Sequence, residues 1–203
     1  MPNRENLVPT LTDQRLEIPC AEGVIYPQIK GLSNKQAQEK INDAIRRKVT
    51  AIVDGIHCED TLATGRYLVD TNEQGIFSVR FEVFMYTQGA AHGMTFVKSL
   101  TAALATGRVY ELRDLFRKDR YYLLKLSDII KRQIKDRDIP LTTPFERVSE
   151  DADYYLKHGN LVIYFQLYEY TPYAYGIPEF VIPFTWIESY LTLESPIRKL
   201  MDC

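Results

Sequence analysis

The chain has 203 residues, 45% of them hydrophobic and 26% charged, with 25 basic side chains against 27 acidic ones and a formal net charge of −2. These are the fractions of an ordinary globular protein and exclude a disordered, collagenous or coiled-coil chain. Balanced charge leaves no global field to draw phosphate backbones or anionic lipid, so neither nucleic acid nor a membrane is an expected partner. The departure from average is aromatic: 14 tyrosines and 9 phenylalanines against one tryptophan.

The leader, Met1 to Asn6, lacks the apolar run of a signal peptide. No stretch approaches the roughly 18 to 20 apolar residues that span a bilayer. As written, the sequence predicts a cytoplasmic chain, or an extracytoplasmic one if it was trimmed from a longer precursor. Cys20, Cys58 and Cys203 are odd in number, far apart and without a CxxC pair, which predicts buried or incidental thiols rather than a disulfide.

Residues 15–18 and 24–29 read as short strands around Pro19 and Gly23. A capping box at Ser33 to Gln36, stapled by Leu32 and Ala37, opens a helix. Its stripe is Ala37, Ile41, Ala44, Ile45, Val49, Ile52 and Val53, and Gly55 stops it. The period then becomes two. Phe77, Val79, Phe81, Val83 and Met85 share one face, and Ser78, Arg80 and Glu82 point to a wet one.

That strand follows residues 65–71 through a hairpin turn at Asn72 to Gly75. Met94, Phe96, Leu100, Ala102 and Leu104 form the next strand, closed by a turn at Ala105 to Arg108. A second helix spans about residues 119–136, with Tyr122, Leu126, Ile129, Ile130 and Ile134 as its stripe and Pro140 as its stop. Strands at 153–156 and 161–168 follow, then a strand at 180–183 and a short helix at 186–193. On this alternation Phe77, Phe81, Phe96 and Phe165 are core residues.

Helices are segregated from runs of strands without βαβ alternation, so the expected class is α+β, mainly antiparallel, with two main helices. A boundary near residues 87–93 divides a leading lobe, 1–90, from a trailing lobe, 91–203.

No catalytic signature is present: no GxSxG, GxxxxGKS/T, GxGxxG or HExxH. His57, His92 and His158 are scattered. His57-Cys58-Glu59-Asp60 groups possible ligands, but adjacent residues rarely converge on one ion, so no metal or other cofactor is expected. Asp151 with Asp153, and Asp136 with Asp138, lie in polar stretches where solvation explains them.

Two segments stand out. In Gln88-Gly89-Ala90-Ala91-His92-Gly93 the glycines suit a bulge or special loop, and His92 serves either a ligand or the loop's own carbonyls. In Tyr164 to Gly176, five tyrosines fall within 13 residues. Tyrosine joins a rigid apolar body to a polar tip and is enriched at recognition surfaces. Tyr164 and Tyr168 share a strand face and suit sheet cover. Tyr170, Tyr173 and Tyr175 lie in a loop with proline and glycine, with Glu169 adding a charge beside them.

Gly-Ala-Ala-His-Gly at 89–93 resembles the Gly-Gly-Ala-His-Gly signature of the RsiV-like family. The likeness continues through Ser99-Leu100-Thr101, Ala105 to Arg108, Leu112 to Phe116, Tyr121-Tyr122, Tyr168 to Gly176 and Pro178 to Pro183. Tyr26 to Ile29 and the following helix resemble the domain that precedes this one in the same proteins, including the leading region of the peptidoglycan deacetylase PdaC. Ala90 stands where the family commonly has glycine.

The resemblance implies two fused α+β lobes and a non-catalytic binding or sensing module. Its expected partner is a protein of the lysozyme type or an envelope glycan, held by His92, Tyr168, Glu169, Tyr170, Tyr173 and Tyr175. The competing readings are an enzyme with a dispersed site around His92, Glu169 and Glu179, and an oligomerisation domain with the tyrosine loop as its interface.

Overall fold

A computed structural model describes residues 8–201, which separate by contact into two units, one running to Val109 and the other starting at Tyr110. The boundary expected at residues 90 and 91 lies in the connection between two paired strands. Cys203 lies outside the described residues, as does the leader through residue 7.

The first unit holds β1 (Thr10–Arg15), β2 (Gly23–Lys30), α1 (Lys35–Ile52), β3 (Thr61–Glu73), β4 (Ile76–Thr87) and β5 (Met94–Ala103). These strands neighbour one another in chain order, and the two-residue β6 (Val109–Tyr110) ends the sheet at the division between the units. All the strand pairs from β1 to β5 are antiparallel except β2 with β3, which run parallel. The absence of βαβ alternation expected from the sequence therefore needs correcting: α1 is a crossover between parallel strands, as parallel neighbours require.

Local chemistry accounts for the elements. Asn34, not Ser33, caps α1, its side-chain oxygen accepting from the Ala37 backbone N–H at 3.1 Å. Gln38 accepts from the Leu32 N–H at 3.1 Å, which ties down the chain two residues before the cap. Ala37, Ile41, Ile45 and Val49 are buried against Phe77, Val79, Phe81, Val83 and Leu100 of the sheet. Gln74 and Gly75, at φ 51° and 71°, make the two-residue hairpin between β3 and β4.

Three further expectations fail in this unit. Cys20 and Cys58 form a disulfide, because the 3₁₀ turn at Pro19–Ala21 and the loop after α1 bring their Cα atoms to 5.0 Å. The second face of β4 is not wet along its first half. Ser78 and Arg80 are buried, Arg80 pairing with Asp70 at 2.7 Å and Ser78 bonding Thr101 at 3.0 Å. Phe96 is not core. It is 36% exposed and outside the buried cluster that holds Phe77 and Phe81.

The second unit contains α2 (Tyr121–Asp136), β7 (Tyr154–Lys157), β8 (Asn160–Tyr164), β9 (Glu179–Pro183) and α3 (Pro196–Met201). The three strands form an antiparallel sheet in the order β7-β8-β9. α2 buries Tyr122, Leu126, Ile129 and Ile130. It also shields the edge strand: Gln133 Nε2 donates to the Val181 carbonyl at 2.8 Å and Arg137 Nη1 to the Glu179 carbonyl at 2.7 Å. β8 ends at Tyr164, four residues short of the expected strand, and 186–193 holds a 3₁₀ turn at Glu188–Tyr190 rather than a helix. The class is α+β and mainly antiparallel, as expected from the sequence. Among the described residues no helix is long and apolar enough to cross a membrane.

Candidate functional site

The two sequence-marked segments fall in different units, His92 in the first and the tyrosine loop in the second.

At the His92 loop both uses of glycine occur. Gly89 takes φ +86°, and Gly93 lets a ring and a carbonyl approach where a side chain would clash. A Cβ there would lie 2.2 Å from Phe84 Cζ and 2.7 Å from the Met85 oxygen. The exposed His92 donates from Nδ1 to the Gly93 carbonyl at 3.0 Å. With His57, Met85, Met94 and Phe96 it lines an open hollow of about 320 Å³. No residue lining that hollow carries a carboxylate.

The tyrosine loop, 165–178, divides its residues between scaffold and surface. Tyr164 is fully buried and tilted against Tyr155, with ring centroids 6.0 Å apart. Tyr170 packs edge-on against Phe165 and Phe145, at 4.7 and 5.4 Å. Burial, then the charges of Glu169 and Glu146, holds its hydroxyl above the ordinary tyrosine pKa. The buried Thr171 donates to the Gly176 carbonyl at 3.3 Å, and the Thr142 N–H donates to the Tyr170 carbonyl at 2.8 Å.

Tyr175 Oη accepts from Arg137 Nη2 at 3.0 Å, while the same guanidinium stands 5.5 Å above the Phe180 ring. The Glu169 carboxylate accepts from the Gln166 N–H at 2.9 Å, so it fastens the turn at 166–169. Tyr170, Tyr175 and Glu169 thus hold the loop's shape.

Tyr168 is the exposed tyrosine of the loop, and Tyr173 beside it is half-buried. Tyr168 is 50% exposed, and its ring lies 5.8 Å from that of Tyr173 at an interplanar angle of 30°. Tyr168 does not share a strand face with Tyr164, as expected, because it lies beyond the strand at φ +65°. That conformation costs a bulky residue on the order of 1 kcal/mol or more and persists only where surrounding contacts enforce it. The residues that follow it are fixed by their own contacts, Glu169 to the Gln166 N–H, Tyr170 to Phe165 and Thr171 to the Gly176 carbonyl, and Tyr168 itself pairs with the half-buried Tyr173.

Trp186 carries no functional motif in the sequence, yet it stands at a groove. It is 55% exposed and lines a groove of about 560 Å³ with Lys125, Ile129, Arg132, Gln133, Asp136, Val181 and Pro183. Its standing as the only tryptophan was visible in the composition. The polar half of the groove was not, because Lys125, Arg132, Gln133 and Asp136 lie off the apolar stripe of α2 and carry no motif. Among the described residues no group of three or more His, Cys, Asp or Glu side chains is arranged to hold a metal.

Comparison with known proteins covers both units. Residues 113–185 match the family described as a protein of unknown function, DUF3298, and residues 20–95 match the family described as deacetylase PdaC. The anti-sigma-V factor RsiV of Bacillus subtilis is 28% identical over 191 residues, and the match covers 85% of this chain and 66% of that protein. The chain thus spans about two thirds of the length of the curated relative it matches.

A crystal structure of a DUF3298 family member from Bacteroides fragilis superposes with a TM-score of 0.67 at 16% identity, covering 97% of this chain and 96% of the other. One from Pseudomonas aeruginosa superposes at 0.61 with 13% identity, covering 91% and 93%. These structures share the fold.

Proposed function

Because the two family matches and the RsiV relative make this chain a member of an RsiV-like family, we propose that it is a non-catalytic recognition module. Its Tyr168 and Tyr173 surface binds a protein ligand of the lysozyme type at the bacterial envelope. The observation that carries the reading is the pairing of the exposed Tyr168 ring with the half-buried Tyr173 ring, 5.8 Å apart, on a loop held in shape by its neighbouring residues. Rigid tyrosines lose little conformational entropy on binding and anchor protein interfaces when enclosed by a partner. The backbone of Tyr168 supports the same reading, since a left-handed bulky residue is retained where surroundings over-determine it, and such sites cluster at ligand clamps.

The disulfide supports the cellular address. Bonds such as Cys20–Cys58 persist in oxidising, extracytoplasmic compartments and are rare where thiols are kept reduced. His92 belongs to the first unit, and its Nδ1 proton is used within its own loop. Its contribution is to the shape of that loop.

Titration of the ¹⁵N-labelled chain with lysozyme tests the proposal. Saturable amide shifts should concentrate in residues 166–176. An absence of shifts in that stretch, with the protein folded, would overturn it.

A further inference from the structure

The groove beside Trp186 is built from one stripe of α2 and the end of β9. Lys125, Ile129, Arg132, Gln133 and Asp136 fall at helical spacing along α2, and Val181 and Pro183 face them. Its floor is short and apolar: Ile129 is buried, while Val181 is 48% exposed. Trp186 forms a wall with more than half its surface in water. The indole face is therefore open to a ligand entering the groove.

The polar groups of α2 divide sharply. Gln133 and Arg137 hold the backbone of β9. Lys125, Arg132 and Asp136 are engaged, among the described residues, in no ion pair or side-chain hydrogen bond. Three uncommitted charges around a small apolar floor do not suit an apolar helix or a hydrophobic peptide, whose docking would bury them unpaired. A ligand carrying its own hydroxyls and charge suits them.

We infer that the Trp186 groove is a saccharide-binding site for a short pyranose oligosaccharide bearing a carboxylate. The C–H face of a pyranose ring is apolar with positive hydrogens and matches the negative face of the indole. Hydroxyls and amides at the ring's edge match Asp136 as acceptor and Arg132 and Lys125 as donors. Two cations against one carboxylate give the rim a net positive charge and favour an anionic sugar. A volume of about 560 Å³ falls within the roughly 300–1,000 Å³ of small-ligand sites. The groove shares no residue with the tyrosine surface, so the inference does not depend on the protein-ligand proposal.

Trp186 is the chain's only tryptophan, and intrinsic fluorescence therefore reads the groove directly. Titration with a disaccharide containing muramic acid should give a saturable change in Trp186 emission, and chitotriose, which lacks a carboxylate, a weaker one. Arg132→Gln should weaken the charged sugar about tenfold, as loss of one charge-assisted hydrogen bond predicts, and leave chitotriose almost unchanged. Calorimetry on Trp186→Ala should show no binding of either sugar, with an unchanged circular dichroism melt confirming the fold.

The inference is overturned by a flat emission titration with both sugars. It is equally overturned by affinity indifferent to Arg132→Gln, by a response only to an apolar probe such as a dansylated alkyl chain, or by a ligand-free emission shift with protein concentration that marks self-association.

Discussion

Reducing the Cys20–Cys58 bond should weaken the first unit by an amount its position in the chain sets. The bond joins the 3₁₀ turn before β2 to the loop after α1, and the sequence separation is 38 residues. In the chain-entropy account, closing a loop of that length removes about 13 cal/mol/K from the unfolded ensemble, or about 4 kcal/mol at 25 °C. With an m-value of about 2 kcal/mol/M in urea, the midpoint should fall by about 2 M. The Cys20→Ser, Cys58→Ser double variant should reproduce the effect of dithiothreitol, since the two perturbations remove the same constraint. The assay is urea unfolding followed by amide signals of β2 and β3, with thiol titration of the starting material. Coincident oxidised and reduced curves would refute the reasoning, as would free thiols at both positions in air-oxidised protein.

The phenol of Tyr67 donates to Asp13 Oδ1 at 2.7 Å, and burial followed by that hydrogen bond and the Asp13 charge pushes its pKa up to about 12 from 10.0. A raised pKa stabilises the fold at lower pH, and the contribution disappears as pH climbs from about 10 through about 12. Urea melts of the wild type and Tyr67→Phe should therefore converge over that window, and a constant gap contradicts the assignment. Asp70→Ala leaves Arg80 buried without its 2.7 Å partner and should cost about 3–5 kcal/mol in thermal or urea unfolding, while Asp70→Leu with Arg80→Met should recover most of it. Gly93→Ala forces a Cβ into Phe84 and the Met85 carbonyl, and should perturb the amide shifts of 84–94 in the unliganded protein. Light scattering of the wild type and Tyr173→Ser over a concentration series should give the same mass, because the ring pair serves a foreign ligand rather than a second copy.

The parts of this fold that were legible are those where a local rule meets no competitor. The α1 stripe and the Gln74-Gly75 turn follow from side-chain spacing and backbone sign. The misses came from partners distant in sequence. Cys20 and Cys58 carry no spacing signal, since only the packing of α1 against the sheet brings them together. Arg80 reads as solvated until Asp70, across the β3–β4 hairpin, buries it.

The tyrosine loop was legible as a region but not by residue. Composition marked five tyrosines, and only tertiary contacts reveal that Tyr170 faces Phe145, that Tyr175 meets Arg137, and that Tyr168 pairs with Tyr173. Trp186 was visible as a singleton, but the groove around it depends on how α2 lies along β9.

The most direct test of the recognition role separates affinity from stability at Tyr168. Glycine suits φ +65°, so Tyr168→Gly relieves strain and should leave stability equal or higher by about 1 kcal/mol. The same change removes half of the ring pair and, as for a central interface tyrosine, should weaken binding of a lysozyme-type protein by tenfold or more in calorimetry. Undiminished affinity in a stable Tyr168→Gly protein, or no measurable binding by the wild type, would contradict the account.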